Sequence, residues 1–321
     1  MIVTVTANPA IDRLITLNTP LERGTVARTH APVDQPGGKG VNVARALAAA
    51  SQPVVAVFPC NPHDIFLSAV AATGLDHVVS PMVGRARVNL TLAEGDGTTT
   101  KLNGPGPSLA DEELDAFTAA VLDASRRAEW VALCGSLPPG VPPSWYRDMV
   151  GQLRALGAKV AVDTSAEPFE ETLADPEAAP DLVKPNAEEL VDLVGGDAEA
   201  VEADPRLAGE LAQKLRGDRG VGSVLLTLGA AGAVLATVDG SWFAPSPRVR
   251  PLSTVGAGDS SLAGFLLAAA RGADAPAALV SAVLHGSAAA ALPGTTPPSP
   301  PDVARLDAVS ARLLTDLSTH F

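Results

Sequence analysis

Residues 253–265 read STVGAGDSSLAGF, and this stretch sets how the rest of the chain is arranged. A turn built on Gly256 and Gly258 leads straight into a segment that puts Leu262, Phe265, Leu266 and Ala269 on one face of a helix. Glycine reaches backbone conformations closed to other residues, so successive N–H groups can converge on one point. Here they converge at the positive end of a helix dipole, which makes the turn an anion site. Asp259 stands beside it. A carboxylate next to a bound anion is unfavourable unless it accepts a proton from whatever attacks that anion. Plain N-capping of the helix is the other role open to it.

Three further segments share this character. Gly37-Gly38-Lys39-Gly40-Val41-Asn42 is a second glycine turn before a helix, carrying a cation and an amide. Lys184-Pro185-Asn186 ends a strand, and Asn186 and Glu189 follow at a spacing that turns both toward one ligand. Thr227, Gly229 and Gly232 end another strand with small residues, where a flat ring or phosphate chain can approach the backbone. All lie at the carboxyl ends of predicted strands, the edge where open α/β sheets bind ligands.

Strands are predicted at 3–6, 54–58, 130–134, 159–163, 182–184, 223–228 and 233–238. Helices are predicted after Gly40, from a Ser108–Asp111 capping box to Arg127, at 143–156 and 187–194, after Gly258, at 276–291 and at 302–317. Repeated β-then-α units of this kind give an α/β fold with a mainly parallel, doubly wound sheet covered on both faces. Two stretches, about 12–36 and 85–103, alternate apolar and polar residues without a helix. They are read as a small antiparallel β lid on a single domain spanning 1–321.

Composition narrows the function. The 321 residues are 46% hydrophobic and 18% charged, enough to bury a core, with aliphatic side chains doing most of the packing because aromatics are 3%. The formal net charge of −13 argues against a nucleic-acid binder. Two cysteines build neither a disulfide framework nor a zinc knuckle. The N-terminus lacks a signal-peptide pattern, and no run approaches the ~20 apolar residues of a membrane span, so a cytoplasmic enzyme is expected. There is no GxxxxGK[ST], no GxGxxG, no HExxH and no GxSxG, which removes P-loop, dinucleotide, zincin and α/β-hydrolase readings.

With TANPAIDR, PGGKGVNVARAL, RVNLTL, DGTTTKLNGPGP, CGSLPPG, VDTS, KPNAEEL and TLGAAGA in this order before STVGAGDSSLAGF, the chain resembles the ribokinase-like (PfkB-type) sugar kinases. Within them it is most similar to the bacterial 1-phosphofructokinase and tagatose-6-phosphate kinase branches. The resemblance implies a three-layer sandwich, ATP with Mg2+, and a lid that also serves as a homodimer interface. It implies Asp259 as the base, with Gly256, Ala257 and Gly258 as the anion hole. Lys184 and Asn186 are implied at the ATP phosphates, Glu189 at Mg2+ through water, and Thr227, Gly229 and Gly232 along the nucleotide. Asp12, Gly38, Lys39, Asn42 and Asn103 match sugar-binding positions. Arg87, Asn89 and Ser136 match positions near the substrate's own phosphate, with Arg28 joining from the lid. Many relatives carry a Gly-Gly-Asp-x-Gly run where this chain has Pro59-Cys60-Asn61-Pro62-His63-Asp64.

The expected reaction is ATP-dependent phosphorylation of fructose 1-phosphate at its 6-hydroxyl. Tagatose 6-phosphate, fructose 6-phosphate and an unphosphorylated sugar are the alternative acceptors. A sugar-phosphate or nucleotide sensor is the non-enzyme alternative, which the retained Asp259 disfavours. Cys60 is expected to be buried and inert, with a reactive thiol as the other reading; Lys101 either touches the ligand phosphate or is a solvated lid residue; His285 is expected on a helix surface, with an approach to the adenine as the other reading.

Overall fold

Residues 2–6 read IVTVT, β-branched at every position, and all five are buried. Stiff side chains of this kind suit a strand covered on both faces. In the computed structural model, which describes residues 1–95 and 98–314, they form the first strand of a large sheet. Along the chain the elements are β1 (Ile2–Thr6), β2 (Ala10–Thr16), β3 (Val33–Gly37), α1 (Lys39–Ala49), β4 (Val54–Cys60), α2 (Ile65–Ala72), β5 (His77–Pro81), β6 (Arg87–Ala93) and β7 (Thr99–Asn103). Then come α3 (Asp111–Ser125), β8 (Trp130–Cys134), α4 (Trp145–Ala155), β9 (Lys159–Asp163), α5 (Glu167–Thr172), β10 (Leu182–Val183), α6 (Ala187–Val194), α7 (Ala198–Ala203) and α8 (Pro205–Arg219). The remainder is β11 (Ser223–Thr227), β12 (Gly232–Thr237), β13 (Gly240–Pro245), α9 (Ala257–Ala270), α10 (Ala275–Ala290), α11 (Pro300–Ala304) and β14 (Arg312–Leu313).

The main sheet runs β14-β13-β12-β11-β10-β9-β8-β1-β4-β5. From β11 through β5 neighbours are parallel, and β12, β13 and β14 add antiparallel strands at one side. Alternate residues of one strand serve different cores. Val3, Val5, Val131 and Leu133 pack on one face, while Ile2, Ala132 and Ala161 pack on the other with Val41, Leu262 and Leu279. Helix, sheet and helix therefore form three layers.

The lid is present, with one refinement. Its order is β3-β2-β6-β7, and the outer pairings are antiparallel, but the central β2–β6 pairing is parallel. Because side chains alternate across a strand, Asp12, Asn89 and Asn103 fall in one cross-strand row on one face. Ile15, Val88, Leu90, Leu92 and Leu102 lie on the opposite face, where Val88 and Leu102 are exposed.

Two expectations are corrected. The helix expected at 302–317 is only the short α11. Residues 312–313 instead pair with Phe243 and Trp242 of β13, satisfying a sheet edge that would otherwise present free N–H and C=O groups. Positions 315–317 lie outside the described residues. Helix α3 starts at Asp111 rather than from a Ser108 cap, because Glu113 supplies the start on its own. Its carboxylate accepts the N–H of Ala110 at 2.9 Å and that of Val83 at 2.6 Å.

Candidate active site

A cavity of about 1330 Å³ opens at the carboxyl ends of the parallel strands and beneath the lid. Each wall starts from a short strand-to-helix turn. Gly256 (φ 77°) takes the left-handed conformation and starts α9. The N–H groups of Gly256, Gly258 and Asp259 have no acceptor among the described residues, and Ala257 only approaches Thr254 O at 3.4 Å. The anion cradle is thus open rather than closed by internal pairing. Gly38 (φ 97°) does the same work before α1, where a Cβ would sit 2.7 Å from Thr6 Cγ2.

Asp259 is buried in the first turn of α9 and accepts a hydrogen bond from Asn42 Nδ2 at 2.9 Å. Burial pushes its pKa up to about 6, helped by the nearby Asp163 charge. Lys39, the Asn42 hydrogen bond and Lys184 pull in the other direction. A carboxyl poised there suits general-base work near neutral pH.

Asp163, at the end of β9, is fully buried. Lys39 Nζ donates to its Oδ1 at 2.7 Å, and Lys184 Nζ lies 3.2 Å from its Oδ2. Burial alone would raise its pKa, but Lys184 and Lys39 outweigh that and hold it below the usual carboxylate range. In turn, the carboxylates of Asp163, Asp259 and Glu189 overcome burial at Lys39 and keep it charged.

The lid end is built from β2, β6 and the close of β1. Asn89 Nδ2 donates to Asp12 Oδ1 at 3.0 Å. Arg87 donates to Gly104 O at 3.0 Å, and to Asn8 O and Ser136 Oγ at 3.3 Å each. Asn8 Nδ2 also reaches Ser136 Oγ at 3.3 Å. Arg87 Nε and the side-chain oxygens of Asn8, Asn42 and Asn89 are buried without a partner among the described residues. Four such atoms around one cavity define a surface completed by a polar ligand.

At the other end, Asn186 caps α6. Its Oδ1 accepts from Glu189 N at 2.7 Å, while Glu189 Oε2 accepts from Asn186 N at 3.0 Å. Both residues line the cavity, as do Lys184, Thr227, Gly229 and Gly232.

The cavity collects every residue expected at the site except one. Arg28 sits in the exposed loop between β2 and β3 and does not line it. That loop is held at the lid's far end by a Leu17–Thr29 bridge, and the Arg28 carbonyl accepts from Asn18. His285 is not a surface residue. It is buried against Gly264 with Nδ1 2.8 Å from Ser281 O, and burial lowers its pKa. Cys60 is buried as expected, and burial pushes its thiol up to about 12. Lys101 is exposed on β7 and also lines the cavity mouth.

Sequence reasoning missed Asp163, and it missed Asn8, Ser246, Pro247, Arg248, Val249, Pro251 and, on α10, Ala282, Val283 and Gly286, which line the cavity. Asp163 and Asn8 were findable, since both stand at carboxyl ends of strands in the quoted VDTS and TANPAIDR runs. The α10 residues look like ordinary core.

An anion cradle, a raised-pKa carboxylate and a lid over one cavity define a phosphotransferase with an alcohol acceptor. The chain belongs to the pfkB family of carbohydrate kinases, whose family model matches residues 5–302. It is 36% identical over 277 residues to a 1-phosphofructokinase of Rhodobacter capsulatus, covering 85% of each chain. It is also 36% identical over 305 residues to a 1-phosphofructokinase of Haloferax volcanii, covering 94% of this chain and 95% of that one. Among solved structures it resembles phosphofructokinase-2 of Escherichia coli in complex with substrates and products. There the TM-score is 0.86, the identity 28%, and the coverage 95% and 97%. The ribokinase of Arabidopsis thaliana shares the fold, with a TM-score of 0.71 at 20% identity.

Proposed function

We propose that this kinase transfers the γ-phosphoryl group of ATP to the 6-hydroxyl of fructose 1-phosphate, giving fructose 1,6-bisphosphate. One observation carries the choice of a phosphorylated acceptor, and the 1-phosphofructokinase relatives support fructose 1-phosphate among the candidates. The buried, unpartnered Nε of Arg87 lies beside Ser136 and Asn8, at the lid end of the same cavity that holds Asp259. A guanidinium pairs with phosphate in a bidentate fork, and this one has an unused donor. Asn89 lies with Arg87 and Ser136 near that phosphate, and Asp12, Asn103, Gly38, Lys39 and Asn42 then surround the sugar.

Asp259 takes the proton from the attacking hydroxyl, and the amides of Gly256, Ala257 and Gly258 receive the developing charge of the transferring group. Lys184 and Asn186 hold the ATP phosphates, with Thr227, Gly229 and Gly232 along the nucleotide. Mg2+ keeps several waters and binds through one or two carboxylates plus phosphate oxygens. The residues fit that mode, since Glu189 commits only Oε2 to its cap and lines the cavity. When bound, the ion neutralises phosphate charge. Lid closure excludes the water that would otherwise compete as acceptor.

The unit is a single domain over 1–321 with its lid, working in the cytoplasm as a homodimer through the lid. The apolar outer face of Ile15, Val88, Leu90, Leu92 and Leu102 supports that pairing. No helix among the described residues is long and apolar enough to cross a membrane.

The deciding experiment is a coupled assay with fructose 1-phosphate, tagatose 6-phosphate, fructose 6-phosphate and fructose. The highest kcat/KM is expected for fructose 1-phosphate, and a higher value for any other acceptor overturns the assignment. ATP consumption that no acceptor stimulates would favour a sensor.

Two outcomes follow at the site. Arg87→Ala should raise KM for the sugar phosphate by roughly 10–100-fold, the worth of a charge-assisted hydrogen bond, and leave KM for ATP alone. Equal effects on both substrates would count against a phosphate contact. The kcat–pH profile should lose activity as pH falls through about 6, where Asp259 takes up its proton, and stay flat above. An acid limb near the ordinary carboxylate value would mean that another group is the base.

A further inference from the structure

The lid row that faces the cavity has a fourth member with no part in the chemistry above. Gln35 of β3 is the direct cross-strand partner of Asp12, which pairs on its other side with Asn89, and Asn89 with Asn103. Direct partners share a face. Asp12, Asn89 and Asn103 line the cavity, whereas Gln35 reaches across to the segment that follows α10. Its Oε1 accepts from Thr295 N at 2.9 Å and from Thr295 Oγ1 at 3.0 Å, and its Nε2 donates to Thr296 Oγ1 at 3.3 Å. The approach depends on Gly294, where φ is 60° and a Cβ would lie 2.8 Å from Gln35 Oε1.

Thr295 is buried and has a second neighbour. Its Cγ2 lies 3.5 Å from where a Cβ would stand on Gly256, the left-handed residue of the anion turn. Its hydroxyl also accepts from Arg45, whose same nitrogen donates to Pro36 O on the lid strand at 3.0 Å. Behind the turn, the N–H groups of Leu252 and Ser253 donate to Ala290 O at the end of α10. A single lid side chain therefore grips the segment that underlies the phosphoryl cradle, about 260 residues away in sequence.

We propose that Gln35 is a positioning residue that couples the seating of the lid on the sugar phosphate to the shape of the Gly256–Gly258 cradle. Acceptor binding at Asp12 and Asn89 fixes the lid row. Through Gln35 and Thr295 that row holds Gly256 in place, so the lid and the cradle share one arrangement. Rigid packed contacts of this kind transmit a displacement rather than absorbing it. The inference rests on the reading of the cavity as a kinase site, not on the identity of the acceptor.

The test compares Gln35→Met, which keeps the size and removes all three hydrogen bonds, with Gln35→Glu, which keeps the two accepted from Thr295. Gln35→Met should lower kcat about tenfold, with KM for ATP unchanged, and Gln35→Glu should recover most of the turnover. Combining Gln35→Met with Thr295→Val should cost less than the product of the two single losses, because both remove one contact. Wild-type kcat in Gln35→Met overturns the proposal. So does a Gln35→Glu variant as slow as Gln35→Met whose thermal midpoint falls in step, since that is a purely structural effect. The comparison uses whichever acceptor of the panel the wild type turns over. A wrong acceptor assignment thus shows in the wild type alone.

Discussion

Asp259→Asn is expected to lower kcat by at least ~10²-fold, the usual worth of a general base, while leaving KM for ATP near its wild-type value. The substitution keeps the size of the side chain and its place beside Asn42, so the anion cradle and the nucleotide wall stay as they are. Its effect on stability separates a catalytic role from a structural one. Because the folded pKa is raised to about 6, the native state holds a proton that the unfolded chain releases near its ordinary value. The stability this proton gives is fully present below the ordinary carboxylate value and is lost as pH rises through about 6. Above that pH the neutral amide introduced by Asp259→Asn removes a buried charge that also repels Asp163. The variant should therefore unfold at the same or a higher urea concentration than the wild type. Near wild-type turnover in that variant would sink the proposed mechanism.

The second large effect concerns Asp163. Asp163→Ala leaves Lys184, which is almost fully buried, and Lys39 without their shared carboxylate. Breaking a buried ion pair from one side typically costs about 3–5 kcal/mol, because a charge remains without compensation. The urea midpoint should drop accordingly, with the slope unchanged, and turnover should fall because Lys184 and Lys39 line the two halves of the cavity. A variant that unfolds at the wild-type midpoint would mean that the two lysines find other partners.

Much of this was legible in the chain because function and fold share the same punctuation. Gly38 and Gly256 mark turns that both start a helix and expose amides, so finding them located the sheet edge and the site together. The β-branched run of β1 identified itself by composition, and Val160 and Val162 marked β9. What escaped did so for physical reasons. Helix α8 buries Ala208, Gly209, Ala212 and Leu215, a stripe so small that its periodicity hardly registers. Strand β13 went unread although Asp239-Gly240 is a hairpin signal, because β12 already closes a plausible sheet. The lid's central parallel pairing joins strands about 75 residues apart, a separation that local patterns do not encode. Asp163 gave no hint of its two partners because ion pairs assembled by the fold leave no spacing in the sequence. Arg28 erred the other way: the resemblance brought it to the phosphate from the lid, and the path of the loop keeps it off the cavity.

The short strand β14 carries a practical consequence. By hydrogen bonding along β13 it works as a selvedge, the finished border that keeps a woven cloth from unravelling. A chain cut back before Arg312 would keep its catalytic groups and still lose colloidal behaviour, since bared strand borders on separate molecules can knit together. Shelf life and yield, rather than turnover, would register the loss.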